Sequence, residues 1–76
     1  MKDLVELMVR SLVEFPEDIE INEIEGEKTI MYEVRVREED LGRVIGKRGR
    51  IVNAMRTIVK AATVKDNRKA ILEILQ

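Results

Sequence analysis

The sequence has no cysteine and no histidine, and it has few aromatic side chains. Among 76 residues, Phe15 and Tyr32 are the only aromatic residues and Pro16 is the only proline. The lack of cysteine excludes disulfides and thiolate metal sites, and the lack of histidine removes the commonest metal ligand and the usual general base. Two aromatic side chains are too few to stack a row of bases, as RRM and OB folds do. We therefore expect no cofactor, no metal site and no aromatic platform for bases.

Long apolar runs are also missing. No run approaches the roughly 20 residues that a membrane-spanning helix needs. The first 13 residues lack the apolar core of a signal peptide, because Asp3 and Glu6 interrupt them. We expect a soluble, cytoplasmic protein with no membrane partner. The length predicts a single domain covering residues 1–76, with a small core.

The net charge of −1 hides a polarised distribution. Residues 1–41 carry 5 basic and 13 acidic side chains, a net charge of −8, whereas residues 42–76 carry 9 basic and 2 acidic ones, a net charge of +7. Between Gly42 and Lys65 there are seven basic residues and no acid. This asymmetry indicates a positive surface directed at an anionic partner. The alternative is a basic helix face that is merely solvated.

Apolar periodicity predicts the first three elements. The spacing i, i+1, i+4, i+5 over residues 3–14 predicts an amphipathic helix that ends before Pro16. Two alternating segments follow and predict half-buried strands joined by a turn at residues 25–28. Tyr32 lies in the apolar phase of the second strand and is predicted to be buried. Ile24 is out of phase with Ile19 and Ile21, which predicts a bulge or an early strand end near Glu23.

The second half predicts two helices and a final strand. Glu38, Glu39 and Asp40 are predicted to open a short helix that runs to about Ile45, because acids suit the positive end of the helix dipole. A second helix is predicted from residue 49 or 50 to about residue 63, followed by a strand over residues 69–75. In that second helix, the apolar positions predicted to lie in the core are Ile51, Val52, Met55, Ile58, Val59 and Ala62. The order helix–strand–strand–helix–helix–strand predicts an α+β domain with helices on one face of a three-stranded sheet.

The stretch RVIGKRGRIV, residues 43–52, joins the two predicted helices through a pair of glycines. It does not fit a Walker A loop, since Gly42 and Gly46 are separated by three residues rather than four and Arg48 follows Lys47. It does not fit the Rossmann fingerprint, which needs a third glycine and a strand–helix junction. What remains is a G-x-x-G turn leading into a helix.

The chemistry of this turn suits a nucleic acid backbone. Glycines allow another backbone to approach closely, and the N–H groups at a helix N-terminus attract phosphate. Lys47 and Arg48 at the tip add positive charge that holds phosphates without reading sequence. An exposed turn with no ligand is the alternative for these two residues.

The residues around this turn resemble a known family. The stretch from Val44 to Val52 is similar to the Ile-Gly-x-x-Gly-x-x-Ile signature of KH domains, and the element order is similar to the type II, prokaryotic arrangement. Among stand-alone KH proteins the chain resembles the small bacterial RNA-binding KhpA family, particularly over residues 50–60.

The resemblance implies a site for about four single-stranded nucleotides. The residues it assigns are Gly46, Lys47, Arg48 and Gly49 for the RNA backbone, Val44, Ile45 and Val52 for an apolar floor under the bases, and Arg43 and Arg50 for a positive rim. For the three aliphatic residues, plain core packing is an equal alternative. For Arg56, Lys60 and Lys65 we expect a solvated face rather than a ligand contact.

The resemblance also implies a role and partners. It implies a non-catalytic RNA-binding protein that acts as an RNA chaperone or post-transcriptional regulator, linked to cell length and cell-wall synthesis. It implies pairing with itself or with a larger KH-containing protein. The competing hypothesis, motivated by the acidic first half and the small core, is a protein-interaction or dimerisation module with little affinity for RNA. An enzyme is the weakest option, because only scattered carboxylates are available, and N-capping of the following helix explains the Glu38–Asp40 cluster more simply.

Overall fold

The computed structural model describes all 76 residues and confirms the predicted order of elements. The helices and strands are α1 (Lys2–Leu12), β1 (Glu20–Glu25), β2 (Thr29–Arg35), α2 (Leu41–Ile45), α3 (Arg50–Ala62) and β3 (Lys69–Ile74). Short 3-10 turns precede β1 (Pro16–Asp18), α2 (Glu38–Asp40) and α3 (Lys47–Gly49). None of the helices combines the length and the apolar character that crossing a membrane would require.

The three strands form one mixed sheet with β2 in the centre. β1 pairs antiparallel with β2, and β3 pairs parallel with β2. The parallel pairing requires a long crossover, which α2 and α3 provide. This crossover places α3 against β3.

One apolar core lies between the sheet and the helices. α1 contributes Val5 and Val9, and α3 contributes buried side chains one helical turn apart. The 13 buried apolar residues are Val5, Val9, Ile21, Ile30, Tyr32, Val34, Val36, Val44, Val52, Met55, Val59, Ala70 and Leu72. The predicted burial of Tyr32 is confirmed, since its side chain is fully buried. Burial raises the pKa of the Tyr32 phenol to about 12.

Three expectations about apolar residues are wrong. Ile24 marks no bulge, because β1 pairs regularly with β2 through Glu25 and Ile24 lies opposite Met31. Ile24 is half exposed on the outer face of the sheet, where it lines up across the strands with Met31 and Ile71; such cross-strand apolar pairs stabilise a sheet face without a core. Ile58 and Ala62 do not lie in the core either, since 47% of Ile58 is exposed and Ala62 is exposed near the C-terminus of α3.

The acids before α2 do not cap it as expected. No side chain caps the N-terminus of α2. Instead the fully buried Asp40 carboxylate accepts hydrogen bonds from the backbone N–H groups of Glu14 and Phe15, each at 3.0 Å. A buried carboxylate with two backbone donors and a nearby cation is compensated for its loss of water. Asp40 therefore ties the end of α1 to the start of α2.

Candidate nucleic-acid interface

The loop between α2 and α3 adopts a left-handed backbone over three of its four residues. Gly46 has φ 76° and ψ 172°, Arg48 has φ 58° and ψ 26°, and Gly49 has φ 76° and ψ 14°. The Gly46 carbonyl accepts a hydrogen bond from the Gly49 N–H at 3.1 Å, and the Lys47 carbonyl accepts one from the Arg50 N–H. These bonds hold a tight turn and project Lys47 and Arg48 into solvent.

The two glycines are required for different reasons. A Cβ on Gly46 would lie 2.6 Å from Ile51 Cγ1 and 2.8 Å from the Ile51 nitrogen, so the first turn of α3 fills that space. A Cβ on Gly49 would come no closer than 3.5 Å to the Asn53 amide, so only its positive φ favours glycine. Packing and backbone conformation within the fold therefore explain both glycines, whereas the sequence suggested only that they leave room for a ligand backbone.

The tip of the loop is basic and has no acidic partner. Lys47, Arg48 and Arg50 are all exposed and line a shallow cavity of about 520 Å³ that no other residue lines. None of the three forms an ion pair within the protein. Their charges are available to an anion, and the N-terminus of the 13-residue α3 adds positive potential beside them.

Arg43, predicted to widen this positive rim, is engaged elsewhere. Its guanidinium lies 3.1 Å from a carboxylate oxygen of Glu14 and 3.4 Å from one of Asp40. Two carboxylates largely neutralise its charge, so it contributes to the joint between α1 and α2. The sequence contained no signal for this pairing, since Glu14 is 29 positions away.

The three aliphatic residues predicted as a floor for bases do not share one environment. Val44 is completely buried and Val52 is 6% exposed, so both side chains belong to the core. Ile45 is partly buried and packs against the core from outside. Val44 and Val52 therefore lie beneath the surface next to the loop, and only Ile45 has an exposed part that a ligand could contact.

A second feature is a groove between α3 and the free edge of β3. It has a volume of about 240 Å³, and its lining residues are Arg56, Val59, Lys60, Lys69, Ala70, Ile71, Leu72 and Glu73. Three of these residues are basic and one is acidic. Lys69 carried no signal in the sequence, and Arg56 and Lys60 looked like members of a solvated face. Only the parallel pairing of β3 with β2 brings them together.

Arg56 bridges the two walls of this groove. Its Nε donates a hydrogen bond to the backbone carbonyl of Leu72 at 3.0 Å, and its Nη1 donates to Asn53 Oδ1 at 3.0 Å. Arg56 forms no ion pair with any carboxylate. The guanidinium is therefore fixed in place with its charge uncompensated. Together with Lys60 and Lys69 it makes this groove basic.

Comparison with known proteins agrees with this arrangement. The family model for the KH domain of KhpA/KhpB matches residues 2–74. The chain is 53% identical over 75 residues to a protein of Clostridium perfringens named RNA-binding protein KhpA, covering 99% of this chain and all of that protein. It is 47% identical over 75 residues to the Clostridium acetobutylicum protein of the same name, with the same coverage.

A protein of another bacterium gives a similar result. The Aquifex aeolicus protein named RNA-binding protein KhpA is 47% identical over 76 residues, covering all of this chain and 96% of that protein. No solved structure matches the chain. The α+β fold with its G-x-x-G loop between two helices is a type II KH-like fold, and the chain belongs to the KhpA/KhpB family of KH domains.

Proposed function

We propose that this protein is a non-catalytic binder of single-stranded RNA, in which the G-x-x-G loop clamps the RNA backbone. The observation that carries the proposal is the exposed loop tip, where Lys47, Arg48 and Arg50 have no acidic partner and sit at the start of α3. The relatives named as RNA-binding proteins support RNA as the anion. Phosphates lie against the loop, and bases extend into the groove between α3 and β3.

The dependence of binding on salt tests this proposal. Fluorescence anisotropy with a labelled eight-nucleotide RNA measures affinity at about 50 and 200 mM salt. Three phosphate contacts predict a log–log slope near −2 for a single strand, which corresponds to roughly a 20-fold loss of affinity over that range. An affinity that is unaffected by salt would contradict a phosphate clamp.

The physiological part of the proposal follows from the family resemblance. The protein acts in the cytoplasm as an RNA chaperone or post-transcriptional regulator, and its targets include transcripts that control cell length and cell-wall synthesis. Crosslinking in cells, followed by sequencing of the bound RNA, identifies those targets directly. If the wild-type protein recovers no more RNA than a loop variant does, the proposed role is wrong.

A second candidate function is self-association, which a neighbouring surface favours; the two surfaces share Arg50. α1 and α3 border an apolar groove of about 450 Å³, and its lining residues are Leu7, Met8, Ser11, Leu12, Arg50, Ile51, Ala54, Met55 and Ile58. Leu7 is 62% exposed and Ile58 is 47% exposed. Exposed aliphatic side chains around a groove indicate a protein contact, and a second copy or a larger KH-containing protein would cover them. Pairing would raise the effective affinity of each small RNA site.

Replacing Ile58 with lysine tests the paired state. We expect dimer dissociation to become at least about tenfold easier, because a charge would be buried in an apolar contact. Sedimentation velocity over a concentration series measures the change, and Thr57→Lys on the adjacent, differently oriented position is the matched control. A wild-type protein that stays monomeric at all concentrations, with and without RNA, would contradict self-association.

A further inference from the structure

We infer that the outer face of the sheet, on the side away from the helices, is a docking surface for a basic amphipathic helix of a partner protein. This face carries a row of apolar side chains beside a pair of carboxylates that have no cation. The inference goes beyond the proposed RNA-binding function and does not depend on it, because it concerns a different face of the molecule and a ligand of opposite charge.

The first support is an apolar row that crosses all three strands. Ile24, Met31 and Ile71 are neighbours in the strand register, so their side chains lie side by side on the outer face. Ile24 is 50% exposed, and the other two are half-buried. Adjacent strands are about 4.8 Å apart, so the row is about 10 Å long. Apolar side chains that adjoin one another on an exposed face indicate a contact surface, whereas single ones do not.

The second support is a pair of carboxylates next to this row. Glu33 of β2 and Glu73 of β3 are neighbours in the parallel register, two positions beyond Met31 and Ile71, so they lie on the same face. Neither carboxylate forms an ion pair within the protein. Like charges on facing positions of adjacent strands destabilise a sheet. A cation supplied by a partner would relieve this repulsion, so the charge of the face favours a basic ligand.

A helix lying across the strands matches the spacing of both rows. Side chains three or four positions apart on a helix are about 5–6 Å apart, which is close to the separation of adjacent strands, about 4.8 Å. An apolar stripe of such a helix would lie over the apolar row, and lysine or arginine beside the stripe would reach Glu33 and Glu73. Laying an apolar helix face on an apolar surface is a common mode of peptide recognition.

A second copy of this chain fits the face less well. Its own outer face carries the same two carboxylates. Lys69 is the one cation on the strands of that face outside an ion pair, since Arg35 is paired with Glu20 at 3.8 Å. One lysine cannot neutralise both Glu33 and Glu73, so a second copy would leave a carboxylate without a partner.

Binding of a designed peptide tests the inference. The probe is a labelled peptide of about 14 residues, long enough to cross the sheet as a helix, with leucine at helical spacing, lysine beside that stripe and alanine elsewhere. The control peptide has glutamate in place of every lysine. In fluorescence anisotropy without RNA, we expect the lysine peptide to bind at least about tenfold more tightly, because two ion pairs replace a repulsion. In an NMR titration, we expect the largest changes in amide chemical shift on the three strands.

Three variants place the peptide on this face. Glu33→Gln together with Glu73→Gln removes the carboxylates at nearly constant side-chain size, and we expect about tenfold weaker binding of the lysine peptide. The matched control, Asp3→Asn together with Glu39→Gln, removes two exposed, unpaired carboxylates from α1 and from the turn before α2. It should bind within about threefold of wild type. Ile24→Lys puts a charge into the apolar row and should weaken binding about tenfold.

Specific outcomes would overturn the inference. Equal binding of the two peptides would do so, as would undiminished binding by the double variant of Glu33 and Glu73. Shift changes confined to α1 and α3 would show that the peptide docks in the other apolar groove. A wild-type protein that dimerises without peptide, and whose dimer is lost in Ile24→Lys, would show that a second copy covers the face. Urea denaturation verifies folding, and the two glutamine substitutions keep the test decisive if Ile24→Lys does not fold.

Discussion

Replacing Lys47 and Arg48 together by aspartate is expected to weaken binding to a short single-stranded RNA at least about 100-fold. Both side chains are exposed at the loop tip and neither has an ion-pair partner, so their whole charge faces the ligand. The attraction between a unit charge and a phosphate in contact with it is about 1 kcal/mol even in water. Each substitution replaces a positive charge by a negative one, so the two together change the charge of the loop by four units. Screening by salt reduces the effect, so the expected loss of affinity is smaller than the sum of these four contributions would give.

The fold should survive this double substitution. Neither side chain makes a hydrogen bond or an ion pair within the protein, and surface changes away from such contacts usually alter stability by less than about 0.5 kcal/mol. Arg48 has a left-handed backbone with φ 58°, which aspartate tolerates better than most residues. Circular dichroism and urea denaturation should therefore match the wild-type protein.

A charge-matched control separates the loop from net charge. Lys2→Asp together with Lys65→Asp changes the net charge equally, at positions remote from the loop. Lys65 lies beyond the C-terminus of α3, so the length of that helix, at 1.5 Å per residue, separates it from the loop by about 20 Å. Lys2 lies at the N-terminus of α1, whereas the opposite end of α1 is the one that leads to Glu14 and its partner Arg43. We expect this control to lose less than about tenfold in affinity, through long-range electrostatics alone. Equal losses in the two proteins would mean that the loop is not the clamp.

The second large effect is expected at Gly46. Its φ of 76° and ψ of 172° lie in a region that is essentially restricted to glycine. An added Cβ would overlap three atoms of Ile51 at 2.6–2.9 Å. We expect Gly46→Ala to lower the free energy of unfolding by about 3 kcal/mol or more, combining backbone strain with displacement of the first turn of α3. For a domain of this size that is a large part of the total stability.

Two other glycines make the comparison quantitative. Gly49→Ala retains only the cost of a left-handed backbone, about 1 kcal/mol, since the new Cβ would come no closer than 3.5 Å to any neighbour, an ordinary van der Waals distance. Gly42→Ala lies inside α2 with nothing within 4 Å of the new Cβ, so it should stabilise by about 0.5–1 kcal/mol. Urea denaturation of the three variants measures this order, and a Gly46→Ala protein as stable as Gly49→Ala would contradict the close packing against Ile51.

Several features of this protein were determined by the sequence alone because their causes are local. The spacing of the apolar residues determines that α1 and α3 are helices and that β2 is a strand. The glycine pair requires a turn between the two helices, whatever surrounds it. The basic loop tip was likewise readable, since Lys47 and Arg48 adjoin the glycines that expose them. The family resemblance rested on this same stretch of residues and on the predicted order of the elements.

Only the tertiary structure decided what each distant charge does. Arg43 looked equivalent to Arg50, yet it pairs with Glu14 on another element while Arg50 remains free. Asp40 looked like a helix cap but binds the backbone of residues 25 and 26 positions earlier. Arg56 looked solvated until the crossover placed β3 beside α3 and gave it the Leu72 carbonyl. The physical reason is common to all three: a periodic pattern records which face is buried, whereas an ion pair or hydrogen bond depends on a partner that only the packing of separate elements brings within reach.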